Sequence, residues 1–185
     1  MSNRIIPLLA AVSVALMAIA CGDDDAGEPL TTGTTGTPGL SAEEEMYFLQ
    51  LGAALTQANE ALPVLEQLRS MAFAADADAS AITEYGEAYE QFMETRDTAI
   101  RDITAPEALT SQHSALALAT GDTLEFALTL NAELQTNPPA TESEFVGLLA
   151  ELDAVSINQR FRDACTRLQI LARTNEIDTD LGCLQ

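Results

Sequence analysis

Residues 104–136, TAPEALTSQHSALALATGDTLEFALTLNAELQT, decide the fold class of this chain. Apolar side chains recur in this stretch at spacings of three and four residues, which is the period of one helical face. The stretch ends at Asn137-Pro138-Pro139, where a helix cannot continue. We therefore predict a long amphipathic helix whose inner stripe contains Leu109, Leu116, Leu124, Ala127 and Leu134.

Three other segments carry the same periodicity, and strand alternation is missing from the sequence. Capping boxes, in which a hydroxyl and a Glu three residues later satisfy the first backbone N–H groups, mark three starts, at Ser41–Glu44, Thr104–Glu107 and Thr141–Glu144. Asp78 or Ser80 is expected to cap the remaining helix. The sequence therefore predicts an all-α, up-down-up-down four-helix bundle.

Pro63 interrupts the apolar stripe of the first predicted helix. Its ring would clash with the carbonyl of Asn59, so we expect a kink there or a division into two shorter helices. The stripe of the last predicted helix changes phase after Val155, and we expect one helix to continue through this point.

The charge of the chain is strongly one-sided. Lys plus Arg total 8 and Asp plus Glu total 29, so the formal net charge is −21 over 185 residues. Such a surface repels phosphate backbones, and we expect no nucleic-acid partner. Four of the Arg residues lie on the last predicted helix, where we expect them to pair with carboxylates and where a binding patch for an anionic partner is the alternative: Arg160, Arg162, Arg167 and Arg173.

Residues 1–20 have the pattern of a secretory signal peptide. Arg4 precedes an apolar run from Ile5 to Ala20, which is shorter than the roughly 20 residues that a membrane span needs. The run ends in Ala18-Ile19-Ala20-Cys21, which resembles the lipobox of bacterial lipoproteins. The resemblance implies cleavage after Ala20, a diacylglyceryl group on the thiol of Cys21 and acylation of the new amino terminus.

Residues 21–40 differ in composition from the rest of the chain. They are rich in Gly, Thr and Pro, contain three consecutive Asp residues and show no hydrophobic periodicity. We predict a flexible acidic linker that begins with the lipidated Cys21 and separates the membrane from a helical domain at 41–185. As a whole, the chain is similar to the many small uncharacterised bacterial lipoproteins with helical mature domains.

Cys165 and Cys183 remain once lipid occupies Cys21. In an oxidising compartment an even pair of cysteines favours a disulfide. Cys165 lies on the apolar stripe of the last helix, and Cys183 lies close to the C-terminus. We predict that the bond staples the C-terminal tail to the bundle, with Ile177 and Leu181 packing against it. Two free thiols are the alternative.

Candidate metal ligands are few. His113, the single histidine, lies on the inner stripe of its helix, where it would ligate a metal or haem or be hydrogen-bonded near a helix end. Asp76, Asp78 and Glu87 match EF-hand positions, but Ala81 replaces the glycine that the calcium loop needs. We favour a solvated acidic loop and predict no metal or other cofactor.

The function expected from these features is non-enzymatic. We expect a lipid-anchored protein, on the periplasmic or extracellular side of a cell membrane or outer membrane, whose helical domain interacts with another envelope protein. The alternatives are a bundle that binds a metal, haem or small apolar ligand and, less favoured, a hydrolytic enzyme. Neither a Gly-x-Ser-x-Gly motif nor a glycine-rich phosphate loop occurs in the sequence.

Overall fold

The computed structural model of the protein describes residues 39–74 and 79–183. Regular structure in these residues is entirely helical, which confirms the all-α prediction. The helices are α1 (Ala42–Asn59), α2 (Leu62–Ala72), α3 (Ala79–Arg101), α4 (Thr110–Thr136), α5 (Glu142–Glu151) and α6 (Ala154–Thr174). Within the described part of the chain, no helix is long and apolar enough to cross a membrane.

The first predicted helix is divided at Pro63, as one of the two expected outcomes. α1 ends at Asn59, and Pro63 occupies the first turn of α2, where its missing N–H would have had no helical partner. The N–H of Ala61 donates to the carbonyl of Ala58 at 3.4 Å and closes the turn between the two helices. We call this turn the elbow, and both of the helices that it joins contact α3.

The last predicted helix is also divided, and the expectation of one continuous helix is wrong. α5 ends at Glu151 and α6 begins at Ala154. Between them Asp153 adopts the left-handed conformation, with φ of 57°. A left-handed residue cannot continue a right-handed helix, so the chain changes direction here. The phase change of the apolar stripe was the sequence signal of this break.

Of the three predicted capping boxes, the one at Ser41 is confirmed in full and the one at Thr141 in part. At Ser41 both bonds of the capping box form, because Ser41 Oγ accepts from the N–H of Glu44 and Glu44 Oε2 accepts from the N–H of Ser41. Thr141 Oγ1 likewise accepts from the N–H of Glu144, but the Glu144 carboxylate binds the N–H of Ala140 instead.

The capping box predicted at Thr104 is wrong. Pro106 precedes a single 3-10 turn, Glu107–Leu109, and α4 begins only at Thr110. At the remaining start, α3 already begins at Ala79, so Ser80 lies inside the first turn and does not precede the helix. Asp78 lies outside the described residues.

The described residues belong to one compact unit, Gly36–Gln185, and bury three groups of apolar side chains. The largest group joins α1, α3, α4, α6 and the C-terminal tail, and it includes Phe48, Ile100, Leu116, Leu168 and Leu181. The stripe predicted for residues 104–136 is buried among all three groups: Leu109 and Leu116 lie in the largest, Leu134 in the second and Ala127 in the third. Leu124 is the exception, because it is only half-buried.

Candidate functional site

The C-terminal tail, residues 175–183, lies against α1 and α6 in what we call the tail groove. Its floor is formed by Gly52 of α1 and by Cys165, Leu168, Gln169 and Ala172 of α6. Leu181 is the anchor of the tail, with only 1% of its surface exposed. A Cβ atom at Gly52 would collide with the hydroxyl of Thr179, so the absence of a side chain there makes room for the tail.

Gln169 holds the tail by its backbone. Its Nε2 donates to the carbonyl of Thr179 at 2.8 Å, and its Oε1 accepts from the N–H of Leu181 at 2.7 Å. The side-chain amide therefore pairs with the tail as a neighbouring strand would pair with an extended peptide. Gln169 itself is buried, so its polar atoms depend on these two bonds.

The groove brings together the two cysteines singled out from the sequence. The sulfur atoms of Cys165 and Cys183 lie at disulfide distance, 2.04 Å apart, with their Cα atoms separated by 5.5 Å. Cys165 is fully buried beneath the tail, and Cys183 is 5% exposed. A molecule that reacts with the Cys165 sulfur must therefore approach it through the space that the tail occupies.

A tight turn leads from α6 into the tail. The N–H of Ile177 donates to the carbonyl of Ala172 at 3.0 Å, and Asn175 Nδ2 donates to the carbonyl of Leu171 at 2.9 Å. Glu176 adopts the left-handed conformation with φ of 59°. This conformation is costly for a residue with a Cβ atom, so the turn stores backbone strain.

His113 is held by a tyrosine. Its Nδ1 lies 3.1 Å from the hydroxyl of Tyr47, which is buried in α1. Partial burial lowers the pKa of His113, so the neutral imidazole is favoured, and in the tautomer protonated on Nε2 its Nδ1 accepts a hydrogen bond from the Tyr47 hydroxyl. Burial raises the pKa of the Tyr47 hydroxyl, which is consistent with its role as donor. The pair joins α1 to the first turns of α4.

The other candidate metal ligands do not converge within the described residues. Glu87 lies exposed on α3, while Asp76 and Asp78 lie outside the described part of the chain, so the EF-hand match stays untested. Over residues 39–74 and 79–183, no group of three His, Cys, Asp or Glu side chains is arranged to hold a metal ion. Cys21 also lies outside the described residues.

Arg160 forms an ion pair between helices, as the sequence predicted for the arginines of α6. Its Nε lies 3.0 Å from Asp122 Oδ2 of α4. The remaining three arginines of this helix, Arg162, Arg167 and Arg173, are exposed and form no ion pair with another described residue.

Arg96 is a buried cation that the sequence analysis did not single out. Its guanidinium carbon lies 4.1 Å from the centre of the Phe161 ring and 5.3 Å from that of Phe92. Its Nη2 lies 3.4 Å from Thr123 Oγ1, and its Nε has no hydrogen-bond partner among the described residues. Arg96 falls four residues after Phe92 on the apolar stripe of α3, and this spacing was the signal that placed it inside.

Two surface grooves expose apolar side chains. One, of about 440 Å³, lies at the elbow between α1 and α2 and is lined by Ala58, Ala61, Val64, Leu65, Ala88 and Phe92 together with polar residues. The second, of about 500 Å³, lies in the angle between α5 and α6. It contains Val155, whose surface is 80% exposed, and Val146, which is 54% exposed.

Comparison with known proteins adds no relative to this description. No known protein family, curated protein or solved structure matches the chain.

Proposed function

We propose that this chain is a lipid-anchored protein whose helical domain acts outside the cytoplasm as a non-enzymatic interaction module. The observation that carries the proposal is the sequence Ala18-Ile19-Ala20-Cys21 at the end of a short apolar run. Because several acyl chains anchor a protein stably where one does not, the modified Cys21 would hold the domain at the membrane.

The fold supports the interaction role. The grooves at the α1–α2 elbow and in the α5–α6 angle present apolar surface to solvent, and buried apolar surface is the main driving force of protein association. The many acidic residues of the domain disfavour binding to anionic lipid head groups, so contact through these grooves is favoured over contact with the bilayer.

We also infer that the six helices form a four-helix bundle, in which two of the four helical arms are each divided in two, and that a disulfide fixes the C-terminal tail to the bundle. α1 and α2 together supply the first arm, α3 and α4 the next two, and α5 and α6 the last. The division of the first arm at Pro63 and of the last at Asp153 supports this interpretation, since each break lies inside a segment with helical periodicity. A Cys165–Cys183 bond would close the last arm onto its own tail.

The anchor is tested by replacing Cys21. The Cys21→Ser protein should lack the mass of the diacylglyceryl group and should keep its signal peptide. The double variant Cys165→Ser/Cys183→Ser is the matched control, since it removes the other two cysteines and should remain lipidated. Cleavage after Ala20 and unchanged membrane association in Cys21→Ser would contradict the anchor.

A small apolar ligand is the second candidate function, and the elbow groove is the observation that favours it. Its volume of about 440 Å³ lies within the range of small-molecule pockets, and its apolar floor is bordered by Gln57, Glu60, Gln91 and Thr95. Such a combination of apolar surface and a few polar groups is typical of ligand sites.

A fluorescent apolar probe separates this second candidate from the first. N-phenylnaphthylamine should bind at a single saturable site, and Ala88→Trp, which fills the groove, should weaken binding about fivefold or more. Ala132→Trp, at an exposed position of α4, is the control and should bind the probe normally. Equal binding by both variants would show that the elbow groove is not a ligand site.

A further inference from the structure

We propose that the tail groove also accepts the C-terminal tail of a second copy of this chain, so that two copies exchange tails and become joined by two Cys165–Cys183 disulfides. The inference deepens the proposed interaction role by naming the partner, and it rests on that role for the oxidising compartment. The occupant is known from the structure, since the peptide that fits the groove is the tail of this chain itself.

The contacts that hold the tail do not depend on which copy supplies it. Gln169 binds the backbone at Thr179 and Leu181, the Leu181 side chain is buried among apolar groups, and Gly52 clears the path of Thr179. Gln169 lies on α6 and Gly52 on α1, and the apolar cluster around Leu181 is shared by α1, α3, α4 and α6. A tail that arrives from a second copy would therefore recover the same hydrogen bonds and the same buried surface.

The turn before the tail is where the chain would open for exchange. Straightening it would release the strain of the left-handed conformation at Glu176 and would give up the hydrogen bond from the N–H of Ile177 to the carbonyl of Ala172. The four residues 175–178, when extended, span about 14 Å, so the C-terminal ends of two α6 helices would lie side by side. Exposed Arg173 at each end would then lie near the exposed acids Glu176, Asp178 and Asp180 of the other tail.

The covalent step requires no net oxidation. A small thiolate attacks the Cys183 sulfur in each of two copies, forms a mixed disulfide with it and releases Cys165 as a thiolate. Each freed tail then enters the groove of the other copy, where the Cys165 thiolate attacks the Cys183 sulfur and displaces the small thiolate. Two disulfides within copies thus become two disulfides between copies, and both small thiolates are released again, so the electrons balance.

Two complementary variants of the full chain test the exchange, both carrying Cys21→Ser and purified in mild detergent. The donor adds Cys165→Ser and keeps only Cys183 on its tail, and the acceptor adds Cys183→Ser and keeps only buried Cys165. Glutathione disulfide is the oxidant, and it is reduced to two glutathione molecules as one bond forms. Because Cys165 lies at the floor of the groove, a bond between the variants requires the donor tail to enter it.

After oxidation of an equimolar mixture, donor–acceptor dimers should exceed each homodimer about fivefold on a non-reducing gel, with a size tag on one variant. A statistical ratio, or a predominance of donor homodimers joined through Cys183, would overturn the proposal. Gln169→Ala in the acceptor should lower the dimer yield roughly tenfold, whereas Gln159→Ala, at an exposed position of the same helix, should not.

A peptide of residues 175–183 with Cys183→Ser provides a readout that does not depend on these variants. It should compete with the donor tail and suppress dimer formation, whereas the same peptide with Leu181→Asp should have no effect, since an unpaired charge would enter the apolar site. Equal effects of the two peptides would contradict recognition by the groove. Both proteins lack Cys21, so failure here would leave lipidation at Cys21 unaffected.

Discussion

Arg96 is a charged side chain in a buried, largely apolar environment. It is 8% exposed, its Nε is unpaired among the described residues, and burial lowers its pKa to about 10. Stacking on Phe161 offsets part of the lost hydration, because the face of an aromatic ring attracts a cation. No carboxylate forms an ion pair with it among the described residues, so most of the desolvation cost is uncompensated.

Replacement of Arg96 by methionine should therefore stabilise the protein. Arg96→Met keeps a long flexible side chain over Phe161 and removes the buried charge, so we expect the free energy of unfolding to rise by roughly 1–3 kcal/mol. Thermal and urea denaturation measure the change. Arg101→Met is the control, since that guanidinium is exposed and its loss breaks the 2.7 Å pair with Asp97. A lower melting temperature for Arg96→Met would refute this account of the buried cation.

The partial burial of His113 should make stability depend on pH. Because burial lowers the pKa of His113 in the folded state, the unfolded chain binds the proton more readily, and stability falls as the pH drops below the ordinary value of about 6.5. A protonated Nδ1 would also no longer accept from Tyr47.

Comparison with His113→Gln isolates this contribution, because the acidic residues titrate in both proteins. At pH 7.5 the original protein should be the more stable, and the difference in melting temperature should narrow towards pH 5. A difference that stays constant between these pH values would show that protonation of His113 is not linked to folding.

At the scale of the helices, the starts of α1 and α4 provide a matched pair of substitutions. Ser41→Ala removes a capping hydroxyl and should lower the free energy of unfolding by about 1 kcal/mol. Thr104→Ala should change it by less than about 0.5 kcal/mol, because Thr104 is exposed and α4 begins six residues later. The sequence pattern assigned a capping role to both residues, whereas the structure assigns it to Ser41 alone. Urea denaturation of the two variants distinguishes these two descriptions.

The wrong prediction of a helix start at Thr104 shows that a local sequence pattern does not fix where a helix begins. A capping box describes two possible hydrogen bonds, but Pro106 and the 3-10 turn that follows it postpone the helix. At Pro63 the sequence was sufficient, because the ring excludes a continuous helix in any environment. At Asp153 the phase change indicated a break, whereas a left-handed conformation at a residue other than glycine depends on the surrounding packing.

The tail groove was predictable in outline only. The count of cysteines and the expected oxidising compartment predicted the pairing of Cys165 with Cys183, and the apolar residues of the tail predicted that it folds back. Gln169 was missed because a glutamine in a helix is usually exposed, although it lies four residues after Cys165 on the same face. Gln169 binds backbone groups of the tail, and every residue has such groups, so the sequence of the tail does not reveal this contact.

For the molecule as a whole, charge opposes compactness and the apolar core must overcome it. The net charge is −21, and the ion pairs between described residues, Arg69–Glu142, Arg101–Asp97 and Arg160–Asp122, are largely exposed at the surface. Exposed pairs contribute little, and uncompensated carboxylates repel one another. A restraint on the unfolded chain therefore matters more here than in a protein of balanced charge.

The pairing of Cys165 with Cys183 should supply that restraint. In the chain-entropy model, a bond across 18 residues stabilises the folded state by about 3 kcal/mol. Cys165→Ser/Cys183→Ser should accordingly lower the melting temperature by roughly 6–12 °C, and a reducing agent should lower that of the unsubstituted protein to the same degree. Circular dichroism at room temperature should still show a helical protein, because the buried leucines of α1, α4 and α6 do not depend on the bond.

The reducing agent distinguishes the bond from the side chains themselves. It should have no further effect on the double variant, whose tail would remain in place through Leu181 and Gln169 alone. If the melting temperature of the unsubstituted protein does not respond to reduction, the tail is held by packing and hydrogen bonds without a covalent restraint. In that case no covalent bond would retain the tail in any redox state, and exchange between copies would be governed by these noncovalent contacts and by the strained turn at Glu176.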